Sequence, residues 1–177
     1  MEPIIQKIWM FMVMLCASIS TFGYDFELPA GNGMQKLQYS ILSSVDQTVA
    51  VVGGTTGIIP CSVTYNNKTY TVTEIGRFAF SDVNITDYRL PLSLKAIREN
   101  AFGFNKASTI AIPDGVEIIE SGAFWYSSVE TIIIGSGVKN IGDGAFYGCS
   151  NLKTLVFRPQ KAPTHVSRNY SIGNGST

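Results

Sequence analysis

The sequence predicts a β-rich solenoid, a chain wound into stacked coils. Three observations carry that reading. Ala-Phe recurs at 79–80, 101–102, 123–124 and 145–146, each pair 22 residues after the last. An isoleucine stands four positions ahead of each alanine, at Ile75, Ile97, Ile119 and Ile141. Behind each pair comes an apolar-x-x-apolar-x-apolar triplet: Ile85/Tyr88/Leu90, Ala107/Ile110/Ile112, Val129/Ile132/Ile134 and Leu152/Leu155/Phe157. A fixed period in this range marks units that bury their apolar faces only against one another.

The chain opens on a segment of another kind. Lys7 precedes an apolar run from Ile8 to Ala17 that includes Trp9, Met10, Phe11, Met12, Val13, Met14 and Leu15. A short positive start, about ten apolar residues and then small residues make a secretory signal, too short for a membrane helix. Residues 1–23 are therefore read as a signal peptide, with cleavage after Gly23 and Thr21 three positions before the cut. Leu15 stands before Cys16 where lipid attachment needs a small residue, which disfavours a lipoprotein.

Residues 24–71 read as an N-terminal hairpin region. Pro29, Gly31 and Gly33 make residues 24–36 an extended, irregular lead-in. Leu37, Tyr39 and Ile41 then alternate with their neighbours, as do Val49 and Val51 after Ser43–Gln47. Period-two alternation on both sides of a polar break is a β-hairpin. A turn cluster at Gly53–Gly57 ends it. A second hairpin has Val63 and Tyr65 on one arm and Tyr70 and Val72 on the other. Asn66-Asn67 lies between them, and asparagine tolerates the positive φ of a tight turn.

Four units of 22–23 residues fill residues 72–160. Each begins with Val72, Leu94, Val116 or Val138, continues to the isoleucine and Ala-Phe, loosens, and ends in a strand. Pro91, Pro113, Gly135 and Pro159 stop the strands, because proline cannot extend a hydrogen-bonded ladder. The fourth unit has one extra residue after Phe146, which a loop absorbs. One unit alone buries too few side chains to offset the entropy of fixing its backbone, so stacking is obligatory. The four phenylalanines should then form one continuous column, with alanine allowing a close approach between coils. Residues 161–177 are polar and carry no fifth Ala-Phe, so they read as a disordered tail or the truncated end of a longer array.

Composition narrows the function. Thirteen basic residues balance thirteen acidic ones. Zero net charge argues against nucleic acid, which needs a basic face, and offers no handle on a membrane surface. No membrane span remains once the signal is removed. Two cysteines then remain, Cys61 and Cys149. An exported chain suggests a disulfide. At about 4.8 Å per stacked strand, though, the two lie roughly 15 Å apart, well beyond the ~7 Å a bridge allows. Two unpaired thiols are expected, Cys149 buried as a small hydrophobe.

The units Ile110-Ala-Ile-Pro-Asp-Gly-Val-Glu-Ile-Ile-Glu-Ser-Gly-Ala-Phe and Gly142-Asp-Gly-Ala-Phe-Tyr-Gly-Cys-Ser-Asn-Leu-Lys-Thr-Leu resemble BspA-like leucine-rich repeats. Tyr39-Ser-Ile-Leu-Ser-Ser and Val63-Thr-Tyr-Asn-Asn-Lys-Thr-Tyr-Thr-Val-Thr-Glu-Ile-Gly resemble the β-rich segment that precedes such repeats in secreted bacterial members. The expected fold is thus a β-rich leucine-rich-repeat solenoid of four units preceded by two β-hairpins. The resemblance implies a non-enzymatic protein, secreted or at the cell surface, that adheres to host or matrix proteins; no cofactor is expected. Larger members have more units and a C-terminal anchoring region. Where other leucine-rich repeats carry asparagine, this chain has Ser93, Gly115 and Gly137, so a buried asparagine ladder is not expected.

Little in the sequence points to catalysis. The single histidine, His165, lies in the polar tail, and a Cys149–His165 nucleophile pair is outweighed by packing as the role of Cys149. Asp114, Glu117, Glu120 and Asp143 are scattered over turns as solvent-facing acids, whereas paired-acid hydrolysis needs two facing carboxylates. No glycine-rich loop opens a helix, and metal-ligand clusters are absent. The sequons at Asn67, Asn84, Asn169 and Asn174 read as coincidence in a chain rich in Asn, Ser and Thr.

Two faces remain as candidate partner-binding surfaces. Outward strand positions form one column of Asp87, Thr109, Thr131 and Thr154 and another of Arg89, Ala111, Ile133 and Val156. Strand propensity alone would also place threonine and β-branched residues there. The second candidate is Trp125, Tyr126 and Tyr147 with Phe104, just behind the Ala-Phe pairs. Aromatic residues are enriched in binding hot spots, but they also cover repeat edges. The functional reading is an exported repeat module that binds a protein or glycan. The alternative is a structural spacer or remnant of a larger surface protein.

Overall fold

A computed structural model describes residues 23–30 and 33–158, with the backbone of 165–166. The expected signal segment up to residue 22, the strand stop at Pro159 and most of the tail lie outside the described residues. The first three strands, β1 (Phe26–Ala30), β2 (Gln35–Ser43) and β3 (Thr48–Gly54), form an antiparallel meander. Part of the predicted irregular lead-in is therefore a strand. Pro29 is compatible with it because β1 is an edge strand, and the missing N–H faces no partner. The Phe26 ring holds β1 down, stacked on Tyr65 at 4.2 Å and on Tyr39 at 5.2 Å.

The second hairpin is β4 (Ser62–Tyr65) and β5 (Lys68–Ile75), antiparallel as the alternation predicts. Asn66 and Asn67 have φ of 49° and 58°, the pair of left-handed residues that a type I′ turn requires. Strand β5 then does double duty. Its other edge pairs in parallel with β3, matching Thr48 to Thr71 and Val51 to Ile75. The meander thus shares a sheet with the solenoid and closes its first end.

Beyond β5 the coils stack. Short strands β6 (Ala96–Ile97), β8 (Ile118–Ile119), β10 (Asn140–Ile141) and β12 (His165–Val166) follow it as parallel rungs in one ladder. Four-residue strands β7 (Thr109–Ile112), β9 (Thr131–Ile134) and β11 (Thr154–Phe157) make a second parallel ladder. The third side has no strand but still joins coil to coil. The amides of Phe80, Phe102 and Phe124 donate to the carbonyls of Ala101, Ala123 and Ala145 at 2.7–2.8 Å. Among the described residues there is no helix.

Inside this triangular section the apolar columns pack in register. Phe80, Phe102, Phe124 and Phe146 form a continuous stack, with centroids 5.7, 5.3 and 5.5 Å apart and planes within 18° of parallel. Offset stacking is a favoured aromatic arrangement. The isoleucines, the alanines and the leading Val72, Leu94, Val116 and Val138 are all buried beside it. Tyr88 caps the stack edge-on, 5.3 Å from Phe80 and 5.0 Å from Phe102.

Three details differ from the sequence reading. The first triplet forms no rung beside β7; Arg89 instead exchanges backbone hydrogen bonds with Gly57 and Ile59 at 2.9 and 3.1 Å. In the fourth triplet Phe157 is 44% exposed rather than inward. A polar column also runs through the core four or five positions before the strands, at Asn105, Ser127 and Cys149. Asn105 donates to Tyr88 Oη at 2.6 Å and accepts the Ala107 amide at 2.8 Å. Ser127 Oγ donates to the Asn105 carbonyl at 3.3 Å, and Cys149 Sγ to the Phe124 carbonyl at 3.0 Å. One asparagine, then serine, then thiol satisfy the backbone where an asparagine ladder would otherwise run.

The acids expected as scattered surface charges mostly staple neighbouring coils. Glu120 accepts Arg98 at 2.7 Å and the Glu99 amide at 2.9 Å, while Arg98 also pairs with Glu74. These carboxylates, the Glu74 hydrogen bond foremost, hold the Arg98 guanidinium even more firmly protonated than usual. Lys139 binds Glu117 at 2.6 Å, and Asp114 accepts the Ser136 amide at 2.7 Å.

Among the described residues the two cysteines are free thiols, Cys61 exposed and Cys149 buried. Burial pushes the Cys149 thiol up to about 11, so near neutral pH it is neither accessible nor ionised. Alkylation of the native chain at pH 8 should modify Cys61 and spare Cys149 until denaturant is added. Peptide mass spectrometry reads this directly, and native labelling of Cys149 would contradict the packing described.

Candidate binding face

The strand face is as regular as the pattern suggests. Thr109, Thr131 and Thr154 are register partners, and so are Ala111, Ile133 and Val156. Ile110, Ile112, Ile132 and Ile134 point the other way into the core. Asp87 and Arg89 lie one coil earlier, off this ladder, where they face each other at 3.7 Å and are well exposed. The result is a short, nearly flat surface of small side chains.

The opposite corner has more relief. Two columns of left-handed residues flank the Ala-Phe pairs. The first is Phe78, Asn100, Gly122 and Gly144, with φ of 56°, 53°, 61° and 59°. The second is Asp82, Phe104, Tyr126 and Gly148, with φ of 55°, 53°, 52° and 71°. These residues turn the chain sharply into and out of the core. Glycine takes that conformation freely, while a bulky side chain costs about 1–2 kcal/mol. Phe104 and Tyr126 accept that strain.

Ring contacts offset part of it. Phe104 stacks on Tyr126 at 5.7 Å and 9°. Trp125 meets both edge-on at 5.4 and 5.2 Å, and Tyr147 meets Tyr126 at 5.6 Å. Gly148 has no side chain because the Tyr126 ring lies over its backbone; a methyl there would fall 2.7 Å from the ring. The four rings nevertheless remain 39–46% exposed. Beside Tyr147 the Tyr126 phenol is pushed up from its ordinary value, first by the second phenol's charge and then by the hydrogen bond between them. So three of the sequence-predicted site residues, Trp125, Tyr126 and Tyr147, come together with Phe104 in one patch. The six strand-face residues lie on a separate surface.

Beside the patch runs an open groove of about 520 Å³. Its floor is the first left-handed column from Asn100 to Gly144. Glu99, Ser121 and Asp143 form one wall, Trp125 and Tyr147 the other. One coil earlier Phe78 fills the floor position, with Arg77 over its ring at 5.9 Å and paired to Glu99 at 2.8 Å.

A profile of the BspA type leucine rich repeat region matches residues 60–167 in six copies. The chain belongs to the BspA-type leucine-rich repeat family. Strand β5 is the rung of the first Ala-Phe unit, and β12 adds one rung behind the last, which makes about five turns. The fold is similar to a leucine-rich repeat protein from Bacteroides capillosus, with TM-score 0.63 and 27% identity over 75% of this chain and 98% of that one. It is also similar to the pneumococcal vaccine antigen PcpA, with TM-score 0.60 and 26% identity over 76% of this chain. The aligned region spans only 38% of the antigen. No curated protein matches the chain significantly.

On this BspA-type scaffold Cys149 faces the core, and the His165 side chain lies outside the described residues. Of the acids, Asp143 lines the groove. Among the described residues no group of histidine, cysteine and acidic side chains has metal-ligand geometry. No helix among them is long and apolar enough to cross a membrane. The left-handed columns escaped the sequence reading, although Gly122 and Gly144, 22 residues apart, carried their signal.

Proposed function

We propose that the chain is an exported or cell-surface repeat module that binds an extracellular protein or glycan, without enzymatic activity, through the face built by Phe104, Trp125, Tyr126 and Tyr147. One observation carries this reading. Four large rings stay exposed in a single patch, two of them on backbone that favours glycine. Strain retained at exposed aromatics is a mark of a working surface, and tyrosine and tryptophan dominate binding hot spots. The strand columns of Thr109, Thr131, Thr154 and Ile133, with Asp87 and Arg89, are the weaker candidate because strand propensity accounts for them. Similarity to a vaccine antigen supports a surface location, and the signal-like start supports export.

Capture of purified matrix proteins and glycans on the immobilised full chain tests the reading. Phe104→Ser with Tyr126→Ser should weaken capture by roughly tenfold or more. Thr131→Ser with Ile133→Thr should leave it unchanged. The opposite ranking would move the binding site to the strand face. No partner at micromolar concentration would favour the spacer.

A further inference from the structure

The groove is chemically distinct from the ring patch beside it. We propose that the groove between the Asn100–Gly144 floor and the Trp125/Tyr147 wall is a binding site for a neutral oligosaccharide, a reading that rests on the aromatic corner being the contact face.

A pyranose has two kinds of surface. One ring face is C–H rich and apolar, and the rim carries hydroxyls that donate and accept hydrogen bonds. A site for it needs an exposed aromatic plane beside unengaged polar groups. The groove supplies both. Trp125 and Tyr147 occupy the same position in successive coils and are 39% and 41% exposed. Coils recur at about 4.8 Å, so both rings stand on the same wall of the groove, one coil apart. Across the floor, Ser121 Oγ and the Asp143 carboxylate make no hydrogen bond to other described residues. The Asn100 amide makes only a long 3.5 Å contact to Glu99. Hydroxyl, carboxylate and amide together match a rim of mixed donors and acceptors.

The floor is kept low for a ligand. A methyl group at Gly122 would lie 2.7 Å from Asn100 Oδ1, and one at Gly144 would reach toward Tyr147. Where Phe78 replaces this floor one coil earlier, the groove stops.

Charge selects against other occupants. An organic cation would find one uncompensated carboxylate, Asp143, because Glu99 is paired with Arg77 at 2.8 Å. It would leave the Ser121 hydroxyl and the Asn100 amide unused, whereas a sugar rim engages all three. A phosphorylated or sulfated ligand would meet that carboxylate with Arg77 held at the closed end. An apolar helix would bury Ser121, Asn100 and Asp143 without partners, at a cost.

The sequence offers a clean reporter, because Trp9 and Trp125 are the two tryptophans. In the full chain carrying Trp9→Phe, emission comes from Trp125 alone. Cello-, xylo-, chito-, manno- and maltooligosaccharides are titrated while emission is followed, with calorimetry for the variants. At least one sugar should give a saturable shift. Trp125→Ala and, independently, Asp143→Ala should each weaken binding roughly tenfold, with unchanged circular dichroism. Gly122→Ala should also weaken it, whereas Ile133→Thr on the strand face should not.

The proposal is overturned if no sugar shifts the emission at millimolar concentration. Binding that survives both Trp125→Ala and Asp143→Ala would overturn it too, as would choline or spermidine binding in place of every sugar. Capture of a matrix protein that still depends on Phe104 and Tyr126 would then leave the contact face standing and remove only its carbohydrate ligand. Loss of both results would remove the contact face as well.

Discussion

Phe124→Ala should destabilise the chain by about 3–5 kcal/mol, the range for truncating a buried phenylalanine. The ring is fully buried between Phe102 at 5.3 Å and Phe146 at 5.5 Å. Removing it leaves a void between two coils that cannot collapse without breaking their backbone hydrogen bonds at Phe102–Ala123 and Phe124–Ala145. Coils stabilise one another mainly through nearest neighbours, so the damage falls on the centre of the array. Urea unfolding measures the loss, and Phe124→Leu should recover most of it. A cost below about 1 kcal/mol would mean that the rings do not share a core.

The second large effect comes from adding one carbon rather than removing many. Gly137→Ala should cost about 1–3 kcal/mol or more through overpacking. A methyl at that position would lie 2.1 Å from the Asp114 carbonyl oxygen, a backbone atom of the preceding coil. Nothing flexible is available to yield, so the coils must part. The same substitution at Gly115 meets the Leu92 carbonyl at 2.8 Å, and at Gly103 its nearest neighbour is the Ser81 hydroxyl at 3.3 Å. The unfolding midpoints should therefore fall most for Gly137, less for Gly115 and least for Gly103. An equal effect at all three would point to backbone entropy instead of the close approach.

These two predictions show why the solenoid was legible in the sequence. The Phe column and its isoleucine companions are spaced by a period, and a period survives whatever the loops do. The two hairpins were legible for a similar reason, through alternation and the Asn66-Asn67 turn. Strand β1 was not, because Pro29 and two glycines masked a segment whose partner, not its own propensity, makes it extended. The missing first rung beside β7 was invisible too. It depends on residues 57–59 reaching Arg89 from outside the repeat, a contact that no local pattern encodes.

The candidate site was only partly legible. The sequence named Trp125, Tyr126 and Tyr147 but could not choose between their corner and the strand columns. The choice depends on backbone sign at Phe104 and Tyr126, which appears only when the coil closes. The groove was harder still. Glu99, Ser121 and Asp143 lie far apart along the chain and become one wall only through a stacking that brings every twenty-second residue together.

The coil-to-coil hydrogen bonds on all three sides have a mechanical consequence. They run along the axis of the stack, so tension along that axis loads them lengthwise and in small sets rather than shearing a whole sheet at once. A module held at one end and pulled by a bound partner would yield one coil at a time. Each release lengthens the tether by roughly 70 Å, the extended span of 22 residues less the ~5 Å a stacked coil already occupies. The same winding that stores apolar surface would thus act as a stepwise extension spring.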